Sequence, residues 1–178
     1  MTVTNVSQKK PDLILEQYFL GKTFASGIFE DRFGNVRRQF TVDIDGTWDG
    51  KTLTLTEDFI FGDGETETRV WSIEKIAPAS YVGTADDVIG SAKGIVSGNT
   101  LNWKYDMRLK VGGSKVKVHF DDWMFLQPNG VLINKATVSK LGLDIGRVTI
   151  AFTKKADADF LSTIPSTNKE PLVATSAR

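Results

Sequence analysis

The sequence predicts an all-β protein, an antiparallel up-and-down barrel of about eight to ten strands with one short N-terminal helix. Three observations support this prediction. From residue 22 onward, apolar residues recur at every second position, the period of a strand with one buried face. Turn dipeptides separate these segments at short intervals. No βαβ pattern is present, and short connections favour a meander that closes on itself.

The helix is predicted at the start of the ordered chain, in Leu13–Leu20. This segment is almost continuously apolar, with Asp12 before it as a suitable N-cap and Gly21 after it as a suitable stop signal. A short helix of this kind has little polar surface of its own. We therefore expect it to plug or cover a larger structure.

The strands follow in order, each bounded by turn residues such as Asp49-Gly50, Gly98-Asn99 and Asn129-Gly130. The predicted ranges are 22–29, 36–45, 52–61, 65–76, 81–84, 88–97, 100–110, 115–126, 131–139 and 147–154. Two glycines within one strand, Gly90 and Gly94, predict a bend or a close backbone approach there.

The strand at 115–126 contains the main exception to the alternation. Its inward positions are apolar except Asp122. A carboxylate on a hydrophobic face costs roughly several kcal/mol unless it is paired or protonated. Asp122 therefore indicates either a partner across the interior or a functional site.

Other strands also place polar groups on their apolar faces. The inferred interior set is Arg38, Glu57, Arg69, Asp122 and Asn134. The position of Arg69 depends on the hairpin register. A three-residue loop at 62–64 pairs Glu57 with Arg69, whereas a two-residue turn would move Arg69 outward. We prefer the first register because it places an acid opposite a base.

Three interpretations of this charge-balanced set remain open. It can be a buried network that fixes the strand register, or a polar anchor at the base of a ligand cavity. The third interpretation is an acid–base pair formed by Glu57 and Asp122. Arginine neighbours lower the pKa of both carboxyl groups and so disfavour proton donation.

Aromatic residues are expected to line the same interior. They are Phe40, Phe59, Trp71, Trp103, Tyr105 and Phe120. Such residues usually pack a core. Next to Gly90 and Gly94 they could also border an apolar pocket, which is how sites for small ligands are commonly built.

Composition limits the classes of function. The chain has 178 residues, of which 40% are hydrophobic and 25% charged, as in an ordinary globular protein. We expect one domain, residues 11–154, between a flexible lead-in, residues 1–10, and a disordered tail, residues 155–178. The formal net charge is zero, which does not favour nucleic acid or an anionic membrane surface as a partner.

No apolar run is long enough to span a bilayer, so no transmembrane segment is predicted. The sequence as written predicts a cytoplasmic location, or a periplasmic or envelope location if a leader has been removed.

Residues typical of metal and nucleophilic sites are scarce. The chain has no cysteine, which excludes disulfides and thiolate metal sites, and a single histidine, His119. His119 lies on an outward face without an obvious nucleophile, so no catalytic triad is predicted. Asp86 and Asp87 could bind a cation at the mouth of the barrel, but such a pair is more often a corner with solvated or capping carboxylates. We expect no metal and no cofactor.

Several segments together resemble the bacterial family known as domain of unknown function 3833. They are 27–34, 55–59, 63–64, 69–71, 81–90, 98–99, 103–105 and 121–124, and the resemblance extends over about residues 12–154. It implies a lipocalin-like fold of the calycin type. It also implies lipid-related work in the cell envelope, because many members look like small lipoproteins encoded near fatty-acid-modifying genes. It implies no catalytic residues, and this sequence departs from those members in having no cysteine.

Three functional hypotheses follow. The first is a binding module that holds a small hydrophobic or fatty-acid-like ligand, with Arg38 or Arg69 at the polar head group and Trp71, Trp103 and Tyr105 along the cavity. The second is a cofactor-independent isomerase, cyclase or lyase that uses Glu57 and Asp122 for proton transfer. The third is a filled barrel that acts through its surface.

Overall fold

A computed structural model describes residues 10–111 and 113–154, which contain ten strands and one helical turn. The elements are α1 (Leu15–Tyr18), β1 (Gly21–Asp31), β2 (Val36–Trp48), β3 (Thr52–Phe61), β4 (Thr66–Ala77), β5 (Ser80–Thr84), β6 (Val88–Ser97), β7 (Thr100–Val111), β8 (Ser114–Leu126), β9 (Leu132–Lys140) and β10 (Leu143–Thr153). The predicted tail, 155–178, and nearly all of the predicted lead-in lie outside the described residues. Within the described part, no helix has the length and hydrophobicity needed to cross a bilayer.

The strands form one closed antiparallel barrel. Each strand pairs with its neighbours in the chain, and β1 pairs with β10 to complete the ring. This confirms the predicted meander. The β3–β4 hairpin places Glu57 opposite Arg69, so the preferred register is also confirmed.

The helix and the start of β10 differ from the prediction. The helix is shorter than Leu13–Leu20, and its N-cap is Ile14 rather than Asp12, which pairs with Lys10. The Leu13 amide donates to the Gly98 carbonyl at 2.8 Å, which keeps this residue outside the helix. At the other end of the chain, β10 begins at Leu143 because an irregularity at Asp144/Gly146 restores its pairing with β9.

The helix plugs one end of the barrel, here called the helix end, as predicted. Leu13, Leu15 and Phe19 are buried in the core, and the Phe19 ring meets Phe152 edge-on at 5.6 Å. The backbone carbonyl of Phe19 occupies the space that a Cβ atom at Gly46 would need. Only glycine at this position of β2 lets the chain after the helix approach so closely.

Glu16 ties the helix to the wall of the barrel. It is 9% exposed. Its Oε1 accepts a hydrogen bond from Lys75 Nζ at 2.5 Å, and its Oε2 accepts one from the Tyr81 hydroxyl at 2.8 Å. Both partners lie in the β4–β5 hairpin, so this carboxylate fixes the orientation of α1.

Glu16→Ala is expected to lower the free energy of unfolding by about 1–3 kcal/mol, because the Tyr81 hydroxyl and Lys75 lose their acceptor. Chemical denaturation at neutral pH measures this change. Gln17→Ala is the matched control, because Gln17 is exposed on the same helical turn. Equal losses in the two variants would contradict the role given to Glu16.

The helix half of the interior is filled by side chains. Leu53, Leu101 and Leu132 are at most 1% exposed. The Trp103 ring packs where Cβ atoms at Gly83 and Gly94 would lie. Gly94 therefore makes room for the Trp103 ring. The alternative of an apolar pocket beside Gly90 and Gly94 does not hold in the helix half of the barrel. Gly90 has φ +69° and lies at the irregularity between β6 and β7.

The opposite end, here called the far end, is less completely buried. It is the end at which β1–β2, β3–β4, β5–β6, β7–β8 and β9–β10 connect. Several inward-facing apolar side chains near it are only half-buried, namely Phe29, Phe40, Phe59, Phe61, Leu109, Val116 and Ile145. Next to them lies a buried cluster made of Met107, Val118, Phe120, Ala136 and Val138. The barrel is thus closed at the helix end and lined by accessible apolar groups at the far end.

Candidate functional site

Most of the predicted interior polar groups meet in one band across the barrel. This polar band consists of Glu57, Arg69, Trp71, Tyr105, Asp122 and Asn134. Trp71 links its two halves, because the Trp71 side chain hydrogen-bonds to Glu57 and its ring lies 5.4 Å from that of Tyr105. The Tyr105 hydroxyl in turn donates to Asp122 Oδ2 at 3.4 Å.

Arg69 is bound mainly by Asp87, which the alternation of the strands does not place in the interior. Its Nε donates to both carboxylate oxygens of Asp87, at 3.1 and 2.9 Å, and its Nη2 lies 2.8 Å from Asp87 Oδ2. The corner around Asp87 reaches Arg69 because β5 pairs with β4 only from Ser72 onward. The sequence signal that could have placed Asp87 beside Arg69 was the short length of the predicted fifth strand. The interpretation of Asp87 as a solvated or capping corner acid is therefore wrong.

Glu57 is the weaker partner of Arg69. Its Oε2 lies 3.7 Å from Arg69 Nη1, beyond hydrogen-bond distance, and its side chain is 14% exposed. Burial raises the pKa of Glu57 to about 7, because the nearby Arg69 charge only partly compensates for lost hydration and the Asp87 charge opposes ionisation. Near neutral pH this carboxyl is therefore a mixture of protonated and ionised forms.

Asp122 lies inside the barrel without an arginine. It is 4% exposed, and its Oδ1 accepts no hydrogen bond within the described part of the chain. Burial raises the pKa of Asp122 to about 7, although the Asn134 amide and the Tyr105 hydroxyl favour the ionised form. Of the two alternatives for Asp122, an arginine partner is not found among the described residues, because Arg69 is held by Asp87 and Glu57.

Asn134 and Tyr105 complete this side of the band. Asn134 is 3% exposed, and its Oδ1, like Asp122 Oδ1, has no hydrogen-bond donor among the described residues. Burial raises the pKa of the Tyr105 hydroxyl well above its usual value, so Tyr105 remains a donor. The site thus presents two buried oxygen atoms that can each accept a hydrogen bond.

Arg38 does not belong to the polar band, contrary to the prediction. Arg38 lies on the inward face of β2, as the alternation predicts. Its position near the start of β2, however, places it at the far-end rim, where its side chain is 35% exposed. It pairs with Asp63 and Glu65 in the β3–β4 turn, and its guanidinium lies 3.6 Å from the centre of the Phe61 ring. Arg38 therefore frames the mouth of the barrel.

The predicted aromatic residues lie where expected, with different degrees of burial. Trp71 and Trp103 are 6% and 5% exposed and meet edge-on at 5.7 Å. Tyr105 is half-buried and stacks on Phe120, with ring centres 5.1 Å apart. Trp103 belongs to the filled core, whereas Trp71 and Tyr105 lie in the band between that core and the far half.

The outer wall carries a groove of about 420 Å³ beside the β6–β7 irregularity. Its lining includes Ser91, Asp106 and His119, and His119 Nδ1 lies 2.7 Å from Asp106 Oδ1. Asp106 lies on the strand between those of Ser91 and His119, so these residues do not form the relay of a catalytic triad. His119 is exposed on the outward face, as predicted.

The charge in the interior differs from the balanced set that was predicted. Arg69 is the cation of the band, and Glu57, Asp87 and Asp122 are the acids near it. Proton uptake by Glu57 and Asp122 relieves this imbalance, which agrees with the raised pKa of both. The arrangement can donate a hydrogen bond from a neutral carboxyl group, accept one, or hold a proton near neutral pH.

A closed ten-stranded antiparallel meander with a helix over one end and a polar band inside defines a barrel of the lipocalin-like, calycin type. The chain belongs to the family of proteins of unknown function DUF3833, whose model matches residues 1–154. A comparison with curated protein sequences gave no match.

Two solved structures are similar in fold. One is an S-type phycobiliprotein lyase from Guillardia theta, with a TM-score of 0.58, 6% sequence identity, and coverage of 79% of this chain and 90% of that protein. The other is a protein of unknown function of the DUF3598 family from Nostoc punctiforme, with a TM-score of 0.53 and 11% identity. That alignment covers 80% of this chain and 49% of the Nostoc chain, so this chain spans about half of its length.

Proposed function

We propose that this protein binds a small, mainly apolar ligand, fatty-acid-like in shape, in the far half of its barrel. The observation that carries the proposal is the gradient of burial. Leu53, Leu101 and Leu132 are fully buried at the helix end, whereas Phe40, Phe59 and Phe61 remain partly accessible at the far end. The far half also contains a buried cluster, made of Met107, Val118, Phe120, Ala136 and Val138. An accessible concave apolar surface is the usual lining of a small-ligand site.

The polar end of the ligand is expected to donate a hydrogen bond. Asp122 Oδ1 and Asn134 Oδ1 are buried acceptors without partners. Leaving such groups unsatisfied is unfavourable by about 1–3 kcal/mol each, so a donor that reaches them stabilises the complex. A hydroxyl group or a protonated carboxylic acid has the required chemistry.

An ionised head group fits this interior less well. Arg69 is already bound by Asp87, and Arg38 by Asp63 and Glu65. A carboxylate would therefore meet acids without a free cation. This revises the expectation that Arg38 or Arg69 holds the head group. We assign the ligand to lipid metabolism or envelope maintenance, which is what the family resemblance implies.

Titration with a long-chain fatty alcohol and the matching fatty acid, followed by tryptophan fluorescence, tests the proposal. Trp71 and Trp103 adjoin the predicted site and report on its occupation. The alcohol is expected to bind more tightly than the acid at pH values above 7, and Phe59→Ala is expected to weaken binding about tenfold, or about 1.4 kcal/mol. Phe125→Ala, on the outer face of β8 near the helix end, is the control and is expected to leave binding unchanged.

Native mass spectrometry of the purified protein gives an independent measurement, since a bound natural ligand adds its own mass. The proposal fails if neither probe binds and no ligand accompanies the protein. It also fails if Phe59→Ala and Phe125→Ala weaken binding equally. A filled barrel that acts through its surface would then be favoured.

A second function, cofactor-independent proton transfer, is favoured by one observation. Glu57 and Asp122 are two interior carboxyl groups, each with a pKa near the pH at which an acid–base catalyst works best. Mass spectrometry of an added ligand after incubation in D₂O tests this function. Deuterium incorporation that is lost in Asp122→Asn and Glu57→Gln variants with intact folds would support catalysis, and no incorporation by the natural protein would exclude exchange of that ligand.

A further inference from the structure

Among residues 10–111 and 113–154, the three most exposed large hydrophobic side chains lie on two neighbouring hairpin tips at the far end. They are Leu141, which is 94% exposed, Phe33, 75%, and Leu143, 70%. Phe33 lies in the β1–β2 turn, Leu141 lies in the β9–β10 turn, and Leu143 is the first residue of β10. Because β1 pairs with β10, these turns are adjacent on the rim. Single exposed apolar residues are common, but a concentration at one end of a barrel indicates a contact surface.

Leucine is an unfavourable residue at position 141 for two separate reasons. Its φ is +51°, a left-handed conformation that leucine rarely adopts and that asparagine or glycine adopts readily. It is followed by Gly142 with φ +79°, so both central residues of this two-residue turn have positive φ. Asparagine-glycine is the usual sequence in such turns. Neither the backbone nor the surrounding water favours leucine here, so its side chain is explained by a contact outside the protein.

Cations surround these tips. Together with the adjacent β7–β8 hairpin, the β1–β2 and β9–β10 turns form three consecutive tips of the rim, here called the basic tips. They carry Arg32, Arg108, Lys110, Lys115 and Lys140, none of which forms a salt bridge within residues 10–111 and 113–154. The Arg32 guanidinium also lies 4.7 Å from the centre of the Phe33 ring, which joins charge and apolar surface at one tip.

The acids on the basic tips are largely compensated. Asp31 is paired with Arg37, and Glu30 lies opposite Arg147 in the β1–β10 register. Asp144 is the remaining acid of these tips and forms no salt bridge within the described residues. The other two tips of the rim are acidic on balance, because their acids outnumber Arg38 and Arg69, with which some of them pair. They carry Asp63, Glu65, Glu67, Asp86 and Asp87. The far end is therefore divided into a basic, apolar sector and an acidic sector, although the formal net charge of the whole chain is zero.

We propose that the basic tips dock onto a lipid bilayer that carries anionic head groups. Phe33, Leu141 and Leu143 enter the interfacial region, and the unpaired arginines and lysines contact the head groups. Apolar insertion combined with a cluster of cations is the combination that holds peripheral proteins on anionic membranes. Exposed leucines and phenylalanine favour a bilayer over nucleic acid, which offers little apolar surface to such tips.

Docking in this manner brings the rim of the barrel to the membrane. The half-buried Phe29 and Ile145 belong to the same hairpins as the basic tips and face the interior. The membrane-facing surface and the proposed ligand mouth are thus continuous. The docking proposal does not depend on ligand binding, because the tips lie outside the interior.

Flotation of the protein with vesicles tests the proposal. Vesicles of phosphatidylcholine alone are compared with vesicles that also contain phosphatidylglycerol, at low and at high salt. Binding to the anionic vesicles is expected, with weaker binding at high salt because the exposed charges are screened. The Phe33→Ser, Leu141→Asn, Leu143→Ser triple variant is expected to need at least about tenfold more lipid for half-maximal binding.

The triple variant is expected to fold, because asparagine tolerates the φ of residue 141 better than leucine does. Leu141→Asn alone is expected to retain or raise the thermal midpoint while it weakens vesicle binding. Leu20→Ser with Ile76→Ser is the matched control, since both residues are exposed, 54% and 58%, and both lie at the helix end.

Three results would overturn the proposal. They are no flotation with anionic vesicles, equal binding to neutral vesicles at any salt concentration, and equal losses in the tip and control variants. The last two would indicate nonspecific adsorption, and the first would leave a protein as the partner of the tips. Phe59→Ala is expected to float like the natural protein, so failure of ligand binding and failure of docking are distinguishable.

Discussion

Replacing Gly46 with alanine is expected to destabilise the protein more than any other alanine substitution at its glycines. The added Cβ would overlap the backbone carbonyl of Phe19, which cannot move aside by changing a rotamer. Either α1 leaves the helix end or β2 shifts, and overpacking of this kind costs about 3 kcal/mol. Chemical denaturation measures the loss, and hydrogen exchange of the Phe19 amide, which donates to the Leu15 carbonyl at 3.0 Å, reports on α1 itself.

Gly62→Ala is the matched control. A Cβ at Gly62 would lie 3.6 Å from the Gln39 carbonyl oxygen, an ordinary contact, so a change within about 0.5 kcal/mol is expected. If both alanine variants unfold at the same denaturant concentration and the Phe19 amide remains protected, α1 does not depend on the close approach at Gly46.

The second large effect is a dependence of stability on pH that comes from Asp122. Its pKa is about 7 in the folded protein and near 3.8 in an unfolded chain, so between these values the folded state holds a proton that the unfolded state has released. The free energy of unfolding is therefore expected to fall as the pH rises from about 4 to about 7, and to level off at higher pH. A shift of this size corresponds to about 4 kcal/mol, fully expressed once the pH exceeds the folded pKa.

Asp122→Asn removes this dependence, because asparagine does not ionise. Its amide can also donate to the unpartnered Asn134 Oδ1 and accept from Tyr105. The variant is expected to be more stable than the natural protein at about pH 8 and to show a flatter profile in urea denaturation over the same range. Glu57, whose pKa is also about 7, accounts for the slope that remains.

Asp121→Asn is the control for this measurement, since Asp121 lies on the outer face beside Lys104 and Asn102. It is expected to keep the slope of the natural protein. A variant Asp122→Asn whose stability falls with pH as steeply as that of the natural protein would show that Asp122 is ionised in the folded state. The acid–base interpretation of Asp122 would then be untenable.

The direction in which side chains point could be predicted because it depends on local geometry. Successive residues of a strand alternate between its faces, so Glu57, Asp122 and Asn134 were assigned inward from the pattern alone. The register of the β3–β4 hairpin followed from the length of its loop. Arg38 shows the limit of this reasoning. Its face was correct, but alternation carries no information about depth along the barrel.

Partners across the interior depend on parts of the chain that the pattern does not relate to one another. Asp87 lies in a corner, where the period of two no longer applies, and it meets Arg69 because β5 is shorter than β4. In the same way, Trp103 occupies space left by Gly83 and Gly94 on two other strands. Whether a glycine leaves a cavity or receives a ring is decided by which residues face it.

By itself, the sequence determined the class of fold, the order of the strands and most of the inward-facing residues, because the alternation and the turn signals are local. Only the tertiary structure decided which polar groups pair, which half of the barrel is filled, and how the charges of the rim divide into two sectors. Those properties follow from strand tilt, strand length and closure of the sheet, which bring residues far apart in the chain to the same place. Asp122 therefore lies without an arginine in a barrel whose sequence contains as many cations as acids.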